Sequence, residues 1–286
     1  MSEAVGVGEY TVQVSPASAG WGFAGLRVLH LPAAGSHRLR TGADEVVVLP
    51  LAGSCVVQTG DGRAELTGRP SVFHGVSDVA YVPRDSDLTV FSEAGGRFAL
   101  ASARAERRLP FRHVPADAVQ VELRGAGNCS RQVHNFATPD VLDADRIIAC
   151  EVLTPGGNFS SYPPHKHDED RPGESVLEEI YYFEIDGAGP AYQRVYGTAE
   201  RPIDVLAEVR TGDVVLVPHG WHGPSIAVPG YHLYYLNVMA GPGPRAWLIC
   251  DDPAHAWIRD TWVGQAVDPR LPFAGAHQSS GNEAPS

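Results

Sequence analysis

The chain has 286 residues, 43% of them apolar, enough to bury a core in one large domain or two of ordinary size. Its formal net charge of −12 argues against nucleic acid or an anionic membrane surface as a partner, because both would repel it. No stretch approaches the roughly 20 apolar residues of a membrane helix, and "MSEAVGVGEYTVQV" lacks the basic and apolar regions of a signal peptide, so a cytoplasmic protein is expected.

Helical periodicity is scarce, and short Val/Leu/Tyr-rich runs alternate with Gly, Pro and Asp clusters. In chain order, "EVVVLPLAG", "SCVVQTG", "DVAYVP", "LTVFSE" and "RFALASAR" read as strands. The segment "RAERRLPFRHVPADAV", rich in charge and proline, reads as a join. Beyond it come "IIACEVLT", "EEIYYFEID", "AYQRVYG", "DVVLVPHG" and "YHLYYLNVMAG", then "DDPAHAWIRDTW" as a short helix or irregular closing segment. This spacing predicts an all-β chain of antiparallel strands in sandwiches or barrels. Two sets are drawn, residues 1–120 and 121–275, with 276–286 as a flexible tail; "AGAHQSSGNEAPS" is small and polar and is expected to fray. "GRPSVFHGVSDVAYVPRDSDLTVFS" and "TGDVVLVPHGWHGPSIAVPGYHLYYLN" faintly echo one another, which fits two barrels of one kind. The cysteines, Cys55, Cys129, Cys150 and Cys250, are scattered without a CxxC pair, as reduced thiols are.

The chemistry concentrates in "SSYPPHKHDED". On a strand, His165 and His167 point the same way and Lys166, the only lysine of the chain, points opposite. "LEEIYYFEI" then supplies Glu178 and Glu179, and "GDVVLVPHGWH" supplies His219 and His222. Imidazoles and a carboxylate at strand ends make a divalent-metal site. Alternation puts Glu179 on the apolar face with Tyr181, Phe183 and Ile185, and Glu178 with Tyr182 and Glu184, so Glu179 is the expected ligand. In the first half, none of His30, His37, His74 or His113 has an HxH partner or a glutamate at strand spacing, so a barrel without metal is expected there.

"GGNFSSYPPHKHD", the acidic head of "EEIYYFEI" and "GDVVLVPHGWH" resemble the two cupin motifs, G-x5-HxH…E…G and G-x5-PxG…H. One residue rather than two separates Gly220 from His222, and the insert before the glutamate is longer. With "GNCSRQVHNF", "YQRVYG", "YYLNVMAGP" and "DDPAHAW", these blocks resemble the 5-deoxy-glucuronate isomerase family of inositol catabolism from about Arg124 to Pro272. The first half matches only loosely. The resemblance implies a bicupin fold and places the metal ligands on His165, His167, Glu179 and His222. It implies the conversion of 5-deoxy-D-glucuronate to 2-deoxy-5-keto-D-gluconate, with a divalent ion stabilising the enediolate. Zinc is expected first; manganese or iron would fit the same donors.

The general base stays open among Tyr181, Tyr182, His219, Glu178 and Lys166, although Lys166 is expected to face away from the metal in an outward salt bridge. The implied partner is a small anionic sugar acid, and a homo-oligomer is left open. Arg131 and Arg194 are the expected carboxylate anchors, because guanidinium and carboxylate pair through two parallel hydrogen bonds. Tyr162 is expected on the pocket wall. The competing readings are an Fe(II)-dependent cupin dioxygenase and a non-catalytic sugar-binding cupin.

Overall fold

The structure, a computed structural model, describes residues 8–273; the tail expected to fray lies outside them. Nine strands occupy the N-terminal half: β1 (Glu9–Val14), β2 (Ala24–Leu31), β3 (Gly35–Arg40), β4 (Asp44–Gln58), β5 (Arg63–Arg69), β6 (Val79–Val82), β7 (Asp87–Ser92), β8 (Gly96–Arg104) and β9 (Arg112–Val114). They pair in the order β1-β2-β8-β4-β6-β9, and the long β4 continues past Gly53 to pair with β5 and β7. The segment read as a join contributes β9, which pairs with β6, and a 3-10 turn, Ala116–Ala118.

The C-terminal half contains β10 (Gln120–Arg124), β11 (Arg131–Ala137), β12 (Ile148–Thr154), β13 (Phe159–Ser160), β14 (His165–Lys166), β15 (Glu178–Ile185), β16 (Ala191–Tyr196), β17 (Asp204–Val209), β18 (Val214–Val217), β19 (Trp221–Ala227), β20 (Leu233–Ala240) and β21 (Cys250–Asp251). One sheet runs β10-β11-β12-β20-β15-β18. The other runs β17-β16-β19-β14-β21, with β13 beside β19. The closing segment coils into a 3-10 helix, Ala256–Trp262. All four cysteines are free thiols. Among the described residues no helix is long and apolar enough to cross a membrane.

Each half has its own apolar interior, and a third cluster joins them. In that cluster Leu26, Val47 and Ala101 from β2, β4 and β8 pack against Ala149, Ile180 and Leu236 from β12, β15 and β20. The strands at this junction are buried on both faces, so they read as nearly continuous apolar runs rather than alternating ones. β20 sends Leu233, Tyr235 and Met239 into the C-terminal barrel and Tyr234, Leu236 and Val238 into the junction. The architecture is an all-β bicupin.

Candidate metal centre

β14 lies between β19 and β21, with His165 directly opposite His222. Cross-strand neighbours at this spacing bring side chains into contact, and the two imidazole centroids are 4.4 Å apart. His167 follows the end of β14. Its carbonyl accepts from Leu177 N at 2.9 Å, and its Nδ1 faces Leu177 O at 3.0 Å. That clamp sets the ring beside Glu179, the second residue of β15.

His167, Glu179 and His222 are buried, and one donor atom from each lies within 4.8 Å of the others. Glu179 Oε2 is 3.0 Å from His167 Nε2 and 3.1 Å from His222 Nε2. His165 stands just outside that grouping, 6.3 Å from His167 between ring centroids, on the wall of the adjoining cavity. All three Nδ1 atoms face backbone carbonyls: Pro163 at 3.4 Å, Leu177 at 3.0 Å and Gly220 at 3.2 Å. Such contacts fix the tautomer with hydrogen on Nδ1 and a lone pair on Nε2. His222 Nε2 is buried with no hydrogen-bond partner. Lone pairs turned on one carboxylate repel unless a cation sits among them, so this donor set fits a divalent metal.

The protonation equilibria agree. Burial alone would push Glu179 up, but His222 and His167 hold it far below the usual carboxylate range. Burial lowers His167, yet Glu179 raises it above its ordinary value, while burial and His222 push His165 well down. The site therefore favours positive charge between Glu179 and its neighbours. Asn237 Nδ2 donates to Glu179 Oε1 at 2.6 Å and orients the carboxylate.

A cavity of about 200 Å3 opens beside these residues and carries three guanidiniums. Arg124 pairs with Glu122 at 2.7 Å, and Arg259 Nη2 meets Asp251 at 2.7 Å. Arg131 donates to Cys129 O at 3.1 Å and has no carboxylate partner among the described residues. Burial, with Arg124 adding, pulls its pKa down to about 10, so it stays cationic at neutral pH. Gly125, at φ +79, makes the room: a Cβ there would fall 2.7 Å from Arg131 Nη1.

Other expected residues lie elsewhere. Arg194 bonds Asp204 at 2.5 Å and the carbonyls of Val195 and Val205, and with Tyr162 it lines a separate cavity of about 560 Å3. Glu178 faces the N-terminal half and accepts from Gly22, Phe23 and Ala24 N at 2.7, 2.8 and 2.8 Å. Tyr182 points into the junction and donates to Glu184 at 3.0 Å. Lys166 points away from the cavity and donates to Asp168, Glu169 and Glu174 at 2.6, 2.9 and 2.7 Å. Asp168 also accepts from Gly220 N at 2.9 Å, tying this acidic loop to the turn before His222. His219 sits on that turn, outside the cavity wall, with its Nε2 buried and unpartnered. Sequence reasoning passed over Ser161, Asn237 and Arg259, which line the cavity. A lone amide inside "YYLNVMAG" was the available signal for Asn237.

The sequence matches the KduI/IolB family over residues 2–258. The chain belongs to the KduI/IolB family. It is 44% identical over 254 residues to the 5-deoxy-glucuronate isomerase of Geobacillus kaustophilus strain HTA426, covering 87% of this chain and 91% of that one. To the enzyme of the same name from Bacillus subtilis strain 168 it is 40% identical over 237 residues, covering 81% and 86%. Among solved structures, an IolB-like protein from Salmonella typhimurium LT2 superposes with a TM-score of 0.83 at 36% identity, over 90% of this chain and 97% of that one. Lactobacillus farciminis oxalate decarboxylase, in a formate complex, shares the fold with a TM-score of 0.63 at 13% identity, over 88% and 85%.

Proposed function

We propose that this chain is a cytoplasmic aldose–ketose isomerase that converts 5-deoxy-D-glucuronate to 2-deoxy-5-keto-D-gluconate in myo-inositol catabolism. His165, His167, Glu179 and His222 hold one divalent cation, zinc first among those the donors fit. One observation carries the reading: Glu179 meets the Nε2 atoms of His167 and His222, beside His165, next to a cavity that also holds an arginine with no carboxylate partner among the described residues. The family relatives' name supplies the reaction.

A bound divalent cation supplies Lewis acidity, which makes the hydrogen on the carbon beside the carbonyl easier to remove. Arg131 receives the substrate carboxylate through paired N–H donors and fixes which end of the sugar acid lies deep in the cavity. Asn237 holds Glu179 in one orientation. Trp247 and Ile249 close the wall and limit water. The metal belongs to the C-terminal half, and the N-terminal half forms a barrel that serves packing. Three of the four N-terminal histidines have other partners: His37 contacts Tyr10, His74 contacts Ser71 and His113 contacts Asp78.

The test incubates metal-loaded protein with 5-deoxy-glucuronate and follows the aldehyde signal by NMR. Loss of that signal with growth of the ketone is expected under anaerobic conditions, and elemental analysis should find one ion per chain. His165→Ala and His167→Ala should each lose most of it. A stable aldehyde signal, or turnover only with oxygen uptake, would overturn the isomerase reading; full metal occupancy in the double variant would overturn the ligand assignment.

A further inference from the structure

Most polar groups facing the cavity have identifiable work. Its three arginines are fixed cations, Asn237 orients Glu179, Tyr235 packs its ring on that of Tyr181 with centroids 5.1 Å apart, and His165 and Glu179 belong to the candidate metal centre. Two hydroxyls remain together. Ser161 Oγ and Tyr181 Oη lie 2.9 Å apart, both residues are buried, and both line the cavity. Among the described residues neither hydroxyl has another hydrogen-bond partner, and either oxygen can be the donor. Tyr181 is two residues beyond Glu179 on β15 and so shares its face.

The backbone at Ser161 is unusual. Its φ is +49, in the left-handed region that side chains other than Gly and Asn rarely adopt. Gly223 makes this possible, since a Cβ there would fall 1.7 Å from Ser161 O. Glycine at position 161 would satisfy the same backbone at lower cost. What serine adds is a hydroxyl held against Tyr181 in the cavity.

We propose that Ser161 and Tyr181 form a hydroxyl relay that carries the oxygen-bound proton between the two vicinal oxygens of the substrate. The proposal rests on the isomerase reading. When an aldose becomes a ketose, a hydrogen moves between the two carbons and, separately, a proton leaves the hydroxyl oxygen and another joins the former carbonyl oxygen. The relay performs the second exchange. The substrate O–H bond breaks as its proton passes to Ser161 Oγ, the serine proton passes to Tyr181 Oη, and the tyrosine proton bonds to the former carbonyl oxygen. Both side chains end neutral, as they began, and the reverse reaction runs the chain backwards. The carbon-bound hydrogen does not travel this route.

Ser161→Gly and Tyr181→Phe test the relay. Each should lower kcat by about a hundredfold, the scale of one general acid–base contribution, with KM within about threefold of wild type and metal content unchanged by elemental analysis. The double variant should be no slower than the worse single, because the hydroxyls act as one unit. Ser161→Gly should melt no lower than wild type, since glycine suits the left-handed backbone; a merely structural serine would leave kcat intact. Calorimetry gives a second readout without turnover. A sugar-acid hydroxamate that mimics the enediolate should bind at least tenfold more weakly to both variants, while the plain aldonic acid binds alike to all. A wild-type protein inert toward 5-deoxy-glucuronate overturns the isomerase reading. An active wild type beside an equally active Ser161→Gly overturns the relay alone, as does equal hydroxamate affinity in all three proteins.

Discussion

Arg131 shows how one side chain can reverse the field of an acidic molecule at one point. Two of the three cavity arginines are neutralised by Glu122 and Asp251, and among the described residues Arg131 is left without a carboxylate partner beside the candidate metal centre. An isolated buried charge is costly, so an anion entering the cavity would give Arg131 the counter-charge that the described residues do not supply. Lysine would keep the charge and lose the planar pair of donors. Arg131→Lys is therefore expected to raise KM by roughly tenfold to a hundredfold, the scale of one or two charge-assisted hydrogen bonds. kcat should change less, because a carboxylate remote from the reacting carbons is held alike in the ground and transition states. Arg194→Lys should leave KM near wild type, since its guanidinium is engaged by Asp204 and two carbonyls on another cavity. Steady-state kinetics on both variants decide it; an unchanged KM for Arg131→Lys would place the carboxylate elsewhere.

At the scale of one element, β15 divides two adjacent carboxylates between two tasks. Glu179 faces the histidines, whereas Glu178 reaches across the junction to three backbone amides at the head of β2. Glu179→Gln should lower metal content. Glu178→Gln should keep the metal and cost about 1–3 kcal/mol, because the amide has a single acceptor oxygen and its NH2 would face N–H groups that the second carboxylate oxygen now satisfies. Elemental analysis and denaturant melts separate the two effects, and exchanged results would mean a one-residue slip of the strand, which swaps its faces. The period-2 pattern of "EEIYYFEI" makes this division of faces visible from sequence, as the HxH spacing does for His165 and His167. Arg194 illustrates the limit. Its alternation on β16 is regular, but which cavity that face lines depends on packing between sheets that no local pattern encodes. Ser161 was out of reach for another reason: its conformation depends on Gly223, distant in sequence, lying against its carbonyl.

Across the whole molecule, the two halves are joined by buried charge as well as by apolar packing. Glu45 accepts from Asp145, Arg146 and Ile147 N, and Glu184 takes two hydrogen bonds from Arg97 at 2.8 and 2.9 Å. The deepest link is Glu151 on β12. It is paired with Arg69 of β5 and also accepts from Tyr234 Oη at 2.7 Å and His134 Nδ1 at 3.1 Å. Both members of the ion pair are 1% exposed. Burial alone would raise the Glu151 carboxyl, but Arg69 and His134 outweigh it and hold the pKa at about 2. A carboxyl depressed on folding stabilises the native state above its unfolded pKa, and that contribution is lost as pH falls through the interval down to the folded value. For Glu151 the interval runs from the ordinary 4.5 to about 2, and the contribution is on the order of 3 kcal/mol. Glu151→Gln leaves Arg69 buried without its counter-ion, which should cost about 3–5 kcal/mol near neutral pH. The stability difference between wild type and Glu151→Gln should then hold from pH 7 to about pH 5 and shrink progressively below it, as wild type protonates the group that the variant lacks. Urea melts at pH 7, 5, 4 and 3 check this, and a difference that stays constant over that range would show that the Arg69–Glu151 pair does not couple the halves through its charge.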